Sequence, residues 1–192
     1  MNRKDEKRLV QDAKKGDREA FAALYQANVD AIFHYILMRT NRKEIAEELT
    51  SDVFVRAIKG LSRYEDRGQV FRAWLYRIAH ARVIDYYRRE DRRPQETSLE
   101  IDLISIKPDM DQGLLKREIS QILTIAISDL TDDQQEVIIL RFVEGLALSE
   151  VAVIMGKETN AIKALQHRAL NAISKRLARQ GVDIKIMLEG LL

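Results

Sequence analysis

The chain has 192 residues, of which 46% are hydrophobic and 32% charged, with a net charge of +2 and no cysteine. This composition suits one globular domain or two small ones, and the lack of cysteine excludes a disulfide framework and thiolate chemistry. No apolar run approaches the roughly 18 residues of a membrane span, and the charged start lacks a signal-peptide core, so we expect a cytoplasmic protein.

Apolar periodicity predicts an all-α fold. Eight glycines and two prolines are too few for the turns of a many-stranded sheet. Apolar residues recur at helical spacing over residues 4–15 and 18–39, interrupted at "KKGD". A third helix follows, with an apolar stripe that includes Ile45, Val53, Ile58 and Leu61. Its charged residues Glu47, Glu48, Asp52 and Arg56 lie off this stripe.

A stretch rich in arginine and aromatic residues, "FRAWLYRIAHARVIDYYRRE", follows the loop "SRYEDRGQ". Its uninterrupted helical period predicts a fourth helix that turns Phe71, Trp74, Val83 and Ile84 toward a core. The apolar neighbours of Trp74 favour a core position over a stacking platform for bases. These four helices predict a first domain over residues 1–93.

Both prolines lie in residues 94–113, which have no helical period and are predicted to form a flexible acidic linker. A second helical domain is predicted over residues 114–180, with a capping box at Thr131 and Gln134. A short apolar helix, a turn at Gly156 and a longer basic helix then have the pattern of a helix-turn-helix. The tail, residues 181–192, is apolar enough to pack on this domain or to bind a partner.

Charge is distributed unevenly along the chain. Residues 72–93 carry seven arginines and three acids, a net +4, and residues 157–179 carry a net +5. Between them, residues 94–136 carry ten acids and three bases, a net −7. Two basic segments separated by an acidic one are consistent with two nucleic-acid contacts, although solvated helix faces would give the same pattern.

The two halves together resemble the extracytoplasmic-function (ECF) sigma factors of bacterial RNA polymerase. "EIAEELTSDVFVRAIKGLSRY" is similar to the polymerase-binding segment of that family, and "FRAWLYRIAHARVIDYYRR" to its promoter-reading helix. "LTDDQQEVIILRFVEGLALSEVAVIMG" is similar to the start of its second DNA-binding domain. The resemblance covers about residues 8–178. It implies two small helical domains that bind core RNA polymerase and promoter DNA, with an anti-sigma factor as a further partner.

The resemblance assigns the first domain to the minus-ten element, where arginines meet phosphates and one base turns out of the stack. The residues implied lie in the loop 62–69 and on the helix after it: Tyr64, Arg67, Gly68, Arg77, His80, Ala81, Arg82, Asp85 and Arg88. Many members have an asparagine where this chain has Ala81, so other groups must read the turned-out base here.

The resemblance assigns the helix-turn-helix to the minus-thirty-five element. The residues implied are Ser149, Asn160, Lys163, Ala164, His167 and Arg168. Lys157 and Glu158 depart from the apolar residue and serine cap usual before the recognition helix. Leu165 and Gln166 stand where the family has an Arg-Leu pair. The polymerase-binding residues implied are Glu47, Glu48, Asp52 and Arg56.

Two other classes of function compete with this interpretation. A helix-turn-helix regulator that binds duplex operators without polymerase would explain residues 129–178 but not the arginine-aromatic helix. An enzyme is disfavoured, because the three histidines are scattered and no glycine-rich phosphate loop is present. We therefore expect no catalytic residues, no metal site and no cofactor. In the free protein the acidic linker is expected to lie against the basic faces and weaken binding to duplex promoter DNA.

Overall fold

The computed structural model describes residues 2–66, 70–90, 127 and 129–179. Every regular element in these ranges is helical, as the sequence predicts. The helices are α1 Arg3–Lys14, α2 Arg18–Thr40, α3 Lys43–Gly60, α4 Phe71–Glu90, α5 Asp132–Ile138, α6 Leu148–Met155 and α7 Thr159–Arg179. Among the described residues, no helix is both long and apolar enough to cross a membrane.

Local capping explains where the first two helices begin and end. The Asn2 side chain accepts a hydrogen bond from the Asp5 N–H, and the Asp17 carboxylate accepts from the N–H groups of Glu19 and Ala20. Asn41 ends α2 in the left-handed conformation, with φ +52°, which asparagine adopts more readily than most residues. The observed bounds of α1 and α2 match the predicted helices within one residue at each end.

Helices α1 to α4 pack around one core that contains Leu24, Ile36, Val53 and Leu75. Two residues predicted to face this core do not: Ile58 is 54% exposed and Ile84 is 45% exposed. Ile58 on α3 and Ile84 on α4 each lie beside the buried stripe of their helix. On both helices the face that packs on the core is narrower than the run of apolar residues predicts. Trp74 packs on the core, with its ring centroid 4.9 Å from that of Tyr64 and 5.4 Å from that of Phe71.

The second half contains the predicted helix-turn-helix. The Thr131 N–H donates to Gln134 Oε1 at 3.2 Å, as the capping box requires. A π-helical turn, Ile139–Val143, follows α5 directly. Gly156 links α6 to α7 with φ +62°, a conformation that costs glycine nothing. The stripe buried on α7 is the predicted one, with Leu177 added: Ile162, Leu165, Ala169, Ile173 and Leu177.

The two halves pack against each other. Helix α6 lies on α4, the π turn also contacts α2, and the buried cluster continues from the first half into the second. The linker, the predicted start of the second domain at residue 114 and the tail lie outside the described residues. The domain boundaries, the acidic linker contact and the role of the tail therefore stay predictions.

Candidate nucleic-acid interface and the contact between the two halves

Helix α4 has three distinct faces, and they set the surroundings of each predicted minus-ten residue. Phe71, Leu75, Ala79 and Val83 form the buried face. Arg77, Ala81 and Arg88 are exposed to solvent, where they could meet DNA. The third face carries Arg72, Tyr76 and His80, spaced four residues apart, and contacts the second half.

Tyr64, predicted to contact DNA, uses its ring for packing in this structure. Its side chain is buried against Phe71 and Trp74, and burial, together with Asp66 and Glu6, raises its pKa to about 12. A DNA contact by Tyr64 stays a prediction. Arg67 and Gly68 lie outside the described residues.

Helix α1 braces both described ends of the loop that precedes α4. The Lys14 ammonium donates to the Tyr64 carbonyl at 2.8 Å, and the Lys7 ammonium lies 2.9 Å from the Asp66 carboxylate. At the other end, the Phe71 N–H donates to Glu6 Oε1 at 2.8 Å. A cavity of about 250 Å³ is lined by residues of both α1 and the loop. Helix α1, to which the sequence pattern assigned no role, thus contacts both described ends of the loop predicted to turn out a base.

A chain of charges joins the predicted polymerase-binding residues to the predicted minus-ten residues. Asp52 Oδ2 lies 3.0 Å from Arg56 Nε and 2.5 Å from Arg82 Nε. Arg82 also donates to Asp85 at 2.8 Å, and Asp85 lies 3.7 Å from Arg88. Burial alone would raise the pKa of Asp52, but Arg56 and Arg82 outweigh that effect and lower it. Arg82 is thus fixed by carboxylates on two helices rather than free to turn toward solvent.

Three of the four predicted polymerase-binding residues are exposed: Glu47, Glu48 and Arg56. The Asp52 side chain is one-third exposed and is engaged by arginine on both sides. Glu48 lines a groove of about 190 Å³ between α3 and α4, beside Arg82 and Arg89. The expectation of a single exposed charged face therefore needs correction at Asp52.

The predicted minus-thirty-five residues are all exposed. Asn160, Lys163, Ala164, His167 and Arg168 are all exposed on α7, opposite its buried stripe, and Ser149 is exposed near the start of α6. Leu165 lies on the buried stripe, and Gln166 accepts a hydrogen bond from Arg141 Nε at 3.3 Å. The two departures from the Arg-Leu pair therefore face the domain, not the candidate DNA surface.

A buried carboxylate on α5 is the centre of the contact between the halves. Glu136 Oε1 accepts from the Tyr35 hydroxyl at 2.6 Å and lies 3.1 Å from His80 Nδ1. Glu136 Oε2 lies 3.0 Å from Arg39 Nε, and the Arg39 and Glu136 side chains are only 6% and 2% exposed. Burial and the neighbouring carboxylate raise the pKa of Tyr35 well above its usual value, so Tyr35 remains a donor.

A second carboxylate makes the same kind of contact two turns away. Glu144 Oε2 lies 2.7 Å from Arg72 and accepts a hydrogen bond from the Tyr76 hydroxyl. Burial and Glu144 raise the pKa of Tyr76. The rings of Tyr35 and Tyr76 meet edge to face, with centroids 5.3 Å apart, so the two contacts form one continuous cluster.

His80 is the one member of this cluster that the sequence pattern had marked as a candidate site residue. The available signal was a repeated spacing, because Tyr35 and Arg39 lie four residues apart, as do Arg72 and Tyr76. Such a pair places a hydroxyl donor and a guanidinium on one helix face. The spacing alone does not show which carboxylates the pairs would meet. No group of acidic, histidine or cysteine residues suited to a metal ion occurs in the described part of the chain.

Comparison with known families matches both halves of the chain. Residues 24–93 match Sigma-70 region 2, and residues 126–175 match Sigma-70 region 4. The first match covers α3, α4 and most of α2, and the second covers the helix-turn-helix. Helix α1 lies outside both matches.

The similar proteins are RNA polymerase sigma factors, and each match extends over most of this chain. The ECF RNA polymerase sigma factor BldN of Streptomyces coelicolor is 35% identical over 88% of this chain, which spans 64% of BldN. YlaC of Bacillus subtilis, an RNA polymerase sigma factor, is 30% identical and is covered over 98% of its length. The ECF sigma factor ShbA of Streptomyces griseus is 30% identical and is covered over 94%.

Solved structures show the same fold. CnrH, in its complex with the cytosolic domain of CnrY, superposes with a TM-score of 0.69 at 22% identity, covering 91% of this chain and 98% of that one. RpoE of Bartonella quintana, in complex with the anti-sigma factor NepR, gives a TM-score of 0.66 at 22% identity, covering 82% of this chain and 96% of that one.

Proposed function

This chain belongs to the ECF RNA polymerase sigma factors, and we propose that it binds core RNA polymerase and directs it to promoters. The observation that carries the proposal is the pairing, in one chain, of an arginine-rich α4 with an α7 that exposes polar side chains opposite a buried stripe. Each half then contacts one promoter element. Residues 1–93 serve the minus-ten element, residues 114–180 the minus-thirty-five element, and residues 94–113 connect them.

On the minus-ten element, the exposed face of α4 provides the cations. Arg77 and Arg88 point to solvent and are suited to phosphates, which supply most of the affinity of such contacts. Ala81 leaves room on this face without offering a hydrogen bond. Arg82 is paired with Asp52 and Asp85 beside this face, so it would contact a base only after leaving one of these carboxylates. The loop residues Arg67 and Gly68 complete the proposed pocket for a turned-out base.

On the minus-thirty-five element, α7 acts as the recognition helix in the major groove. Lys163 and Arg168 provide charge for phosphate or guanine, and Asn160 can pair with adenine. His167 lies beside them, 3.2 Å from Asn171. Ser149 can meet the backbone near the start of α6.

Polymerase binding is proposed for the outer surface of α3, through Glu47, Glu48 and Arg56, with Asp52 connecting this surface to α4. The protein acts by binding and not by catalysis, and it acts in the cytoplasm, where polymerase and promoters are found. We also propose an anti-sigma factor as a regulatory partner, as expected for a member of this family.

Run-off transcription tests the proposal. Purified core polymerase with this chain should initiate at discrete sites on genomic fragments, whereas core alone should not. Footprinting of the chain without polymerase separates the alternative function. Strong protection of paired duplex sites by the free chain, with no polymerase-dependent initiation, would identify a conventional helix-turn-helix regulator and refute the proposal.

A further inference from the structure

The face of α2 and α4 formed by Tyr35, Arg39, Arg72, Tyr76 and His80 is here named the docking face. We infer that it is a binding surface for paired carboxylates, occupied in the free chain by Glu136 and Glu144 of the second half. Occupancy of the docking face excludes the promoter strand from His80. This inference rests on the proposed function, because His80 is one of the proposed minus-ten residues.

The docking face offers a cation and a hydrogen-bond donor to each of the two carboxylates that occupy it. Each carboxylate meets one guanidinium and one tyrosine hydroxyl: Glu136 meets Arg39 and Tyr35, and Glu144 meets Arg72 and Tyr76. A buried carboxylate is tolerated only when charge and hydrogen bonds replace its lost water. Both side chains are at least 94% buried, because 2% of Glu136 and 6% of Glu144 is exposed. This pairing of each buried carboxylate with a guanidinium and a hydroxyl distinguishes the contact from a chance encounter of charged surfaces.

The π turn aligns the two carboxylates. Residues eight apart on an uninterrupted α-helix point about 80° away from each other, since each residue turns the chain by roughly 100°. A π turn accommodates one extra residue, so the same eight positions advance like seven and the two directions differ by only about 20°. The Glu144 N–H donates to the Ile139 carbonyl at 3.0 Å, a bond five residues back that is typical of a π turn. The turn therefore places Glu136 and Glu144 on one side, facing the docking face.

The docked arrangement competes with the proposed promoter contact. His80 lies 3.1 Å from Glu136, and its side chain is 17% exposed. Arg77 and Ala81, on the adjacent face of α4, remain exposed. A DNA strand following the exposed face of α4 could not reach His80 without displacing the carboxylate, and two anions would repel each other there. Polymerase, by holding the two halves on separate surfaces, would open the docking face.

The effect on affinity follows from the population of the closed form. If about nine-tenths of the free chain is closed, the apparent affinity for a ligand of the open form is reduced about tenfold. Removing both carboxylates should recover that factor in the free chain. The same removal should leave the affinity of holoenzyme unchanged, because polymerase is proposed to hold the two halves apart.

The test compares the parent chain with a Glu136→Ala/Glu144→Ala variant. The matched control, Asp12→Ala/Glu19→Ala, removes the same charge from α1 and α2, away from the docking face. Small-angle scattering measures whether the free chain opens. Fluorescence anisotropy measures binding to a single-stranded oligonucleotide that carries the non-template minus-ten sequence of a promoter found by run-off mapping.

We expect a larger radius of gyration and roughly tenfold tighter oligonucleotide binding for the docking variant alone, with equal binding by all holoenzymes. A charge exchange controls for a folding defect: Arg72→Glu should open the chain, and adding Glu144→Arg should close it again. Equal radii of gyration for the parent chain, the docking variant and Arg72→Glu would overturn the inference. Scattering needs no DNA, so this result is independent of whether the chain initiates transcription.

Discussion

The hydrogen bond between Glu6 on α1 and the first residue of α4 can be tested by substituting Glu6. The Phe71 N–H begins α4 and donates to Glu6 Oε1 at 2.8 Å, although the two residues are 65 positions apart. The first N–H groups of a helix have no partner within it, and loss of a capping side chain typically costs about 1 kcal/mol. A hydrogen bond to a charged group is worth roughly 1.5–3 kcal/mol. Because Glu6 is only half-buried, we expect Glu6→Ala to cost about 1–2 kcal/mol.

Thermal unfolding followed by circular dichroism measures this cost. At roughly 2–4 °C per kcal/mol for a chain of this size, Glu6→Ala should lower Tm by a few degrees. Glu6→Gln keeps an acceptor and should recover part of the loss. Arg8→Ala is the matched control, because Arg8 is exposed and its ion pair with Asp5 spans 4.0 Å. If Glu6→Ala and Arg8→Ala unfold at the same temperature, the hydrogen bond between Glu6 and the Phe71 N–H does not contribute to the stability of the fold.

Three further predictions follow from the geometry. Lys163→Ala or Arg168→Ala should weaken minus-thirty-five binding by roughly 1–3 kcal/mol if the residue contacts a base and by less if it contacts phosphate. The salt dependence of binding separates these roles, and unchanged binding in both variants would exclude α7 as the recognition helix. Glu48→Lys should weaken core binding in a titration without affecting minus-ten selectivity, whereas Asp52→Asn should alter both, since Asp52 also holds Arg82. Stability from Tyr64 is complete below pH 10 and is lost as pH rises toward about 12, because burial raises its folded pKa. Alkaline titration of unfolding should show a shallower decline for Tyr64→Phe, and identical curves would contradict the assignment.

Helical periodicity was sufficient to predict the helices of the first half and the two faces of α7. The stripe of Ile162, Leu165, Ala169 and Ile173 has helical period and lies beside a turn glycine, so both the buried and the exposed faces follow from spacing. The same reasoning failed at Ile58 and Ile84, because periodicity shows a helix face but not how wide a neighbouring helix covers it. Tyr64 was assigned a DNA contact through the family resemblance, and nothing in its loop indicated that it packs on two aromatic rings of the next helix.

The contact between the halves was beyond sequence reasoning for a different reason. Tyr35 and Glu136 are separated by 101 positions, and no local pattern links one to the other. A buried glutamate beside Gln135 and Val137 looks like an ordinary charged helix residue until its partner is known. The two Tyr–Arg spacings indicate donors on one face, but only the tertiary arrangement supplies the acceptors.

The π turn at Ile139–Val143 has an evolutionary consequence. A helix that gains or loses one residue within this turn rotates Glu144 by about 100° relative to Glu136, while Gly145, α6 and α7 keep their own sequence. A single-codon deletion could therefore separate one Tyr–Arg pair from its carboxylate without altering any residue proposed to contact DNA. The contact between the halves and the choice of promoter would then be inherited as independent traits, and relatives with the same recognition helix could differ in how readily they open.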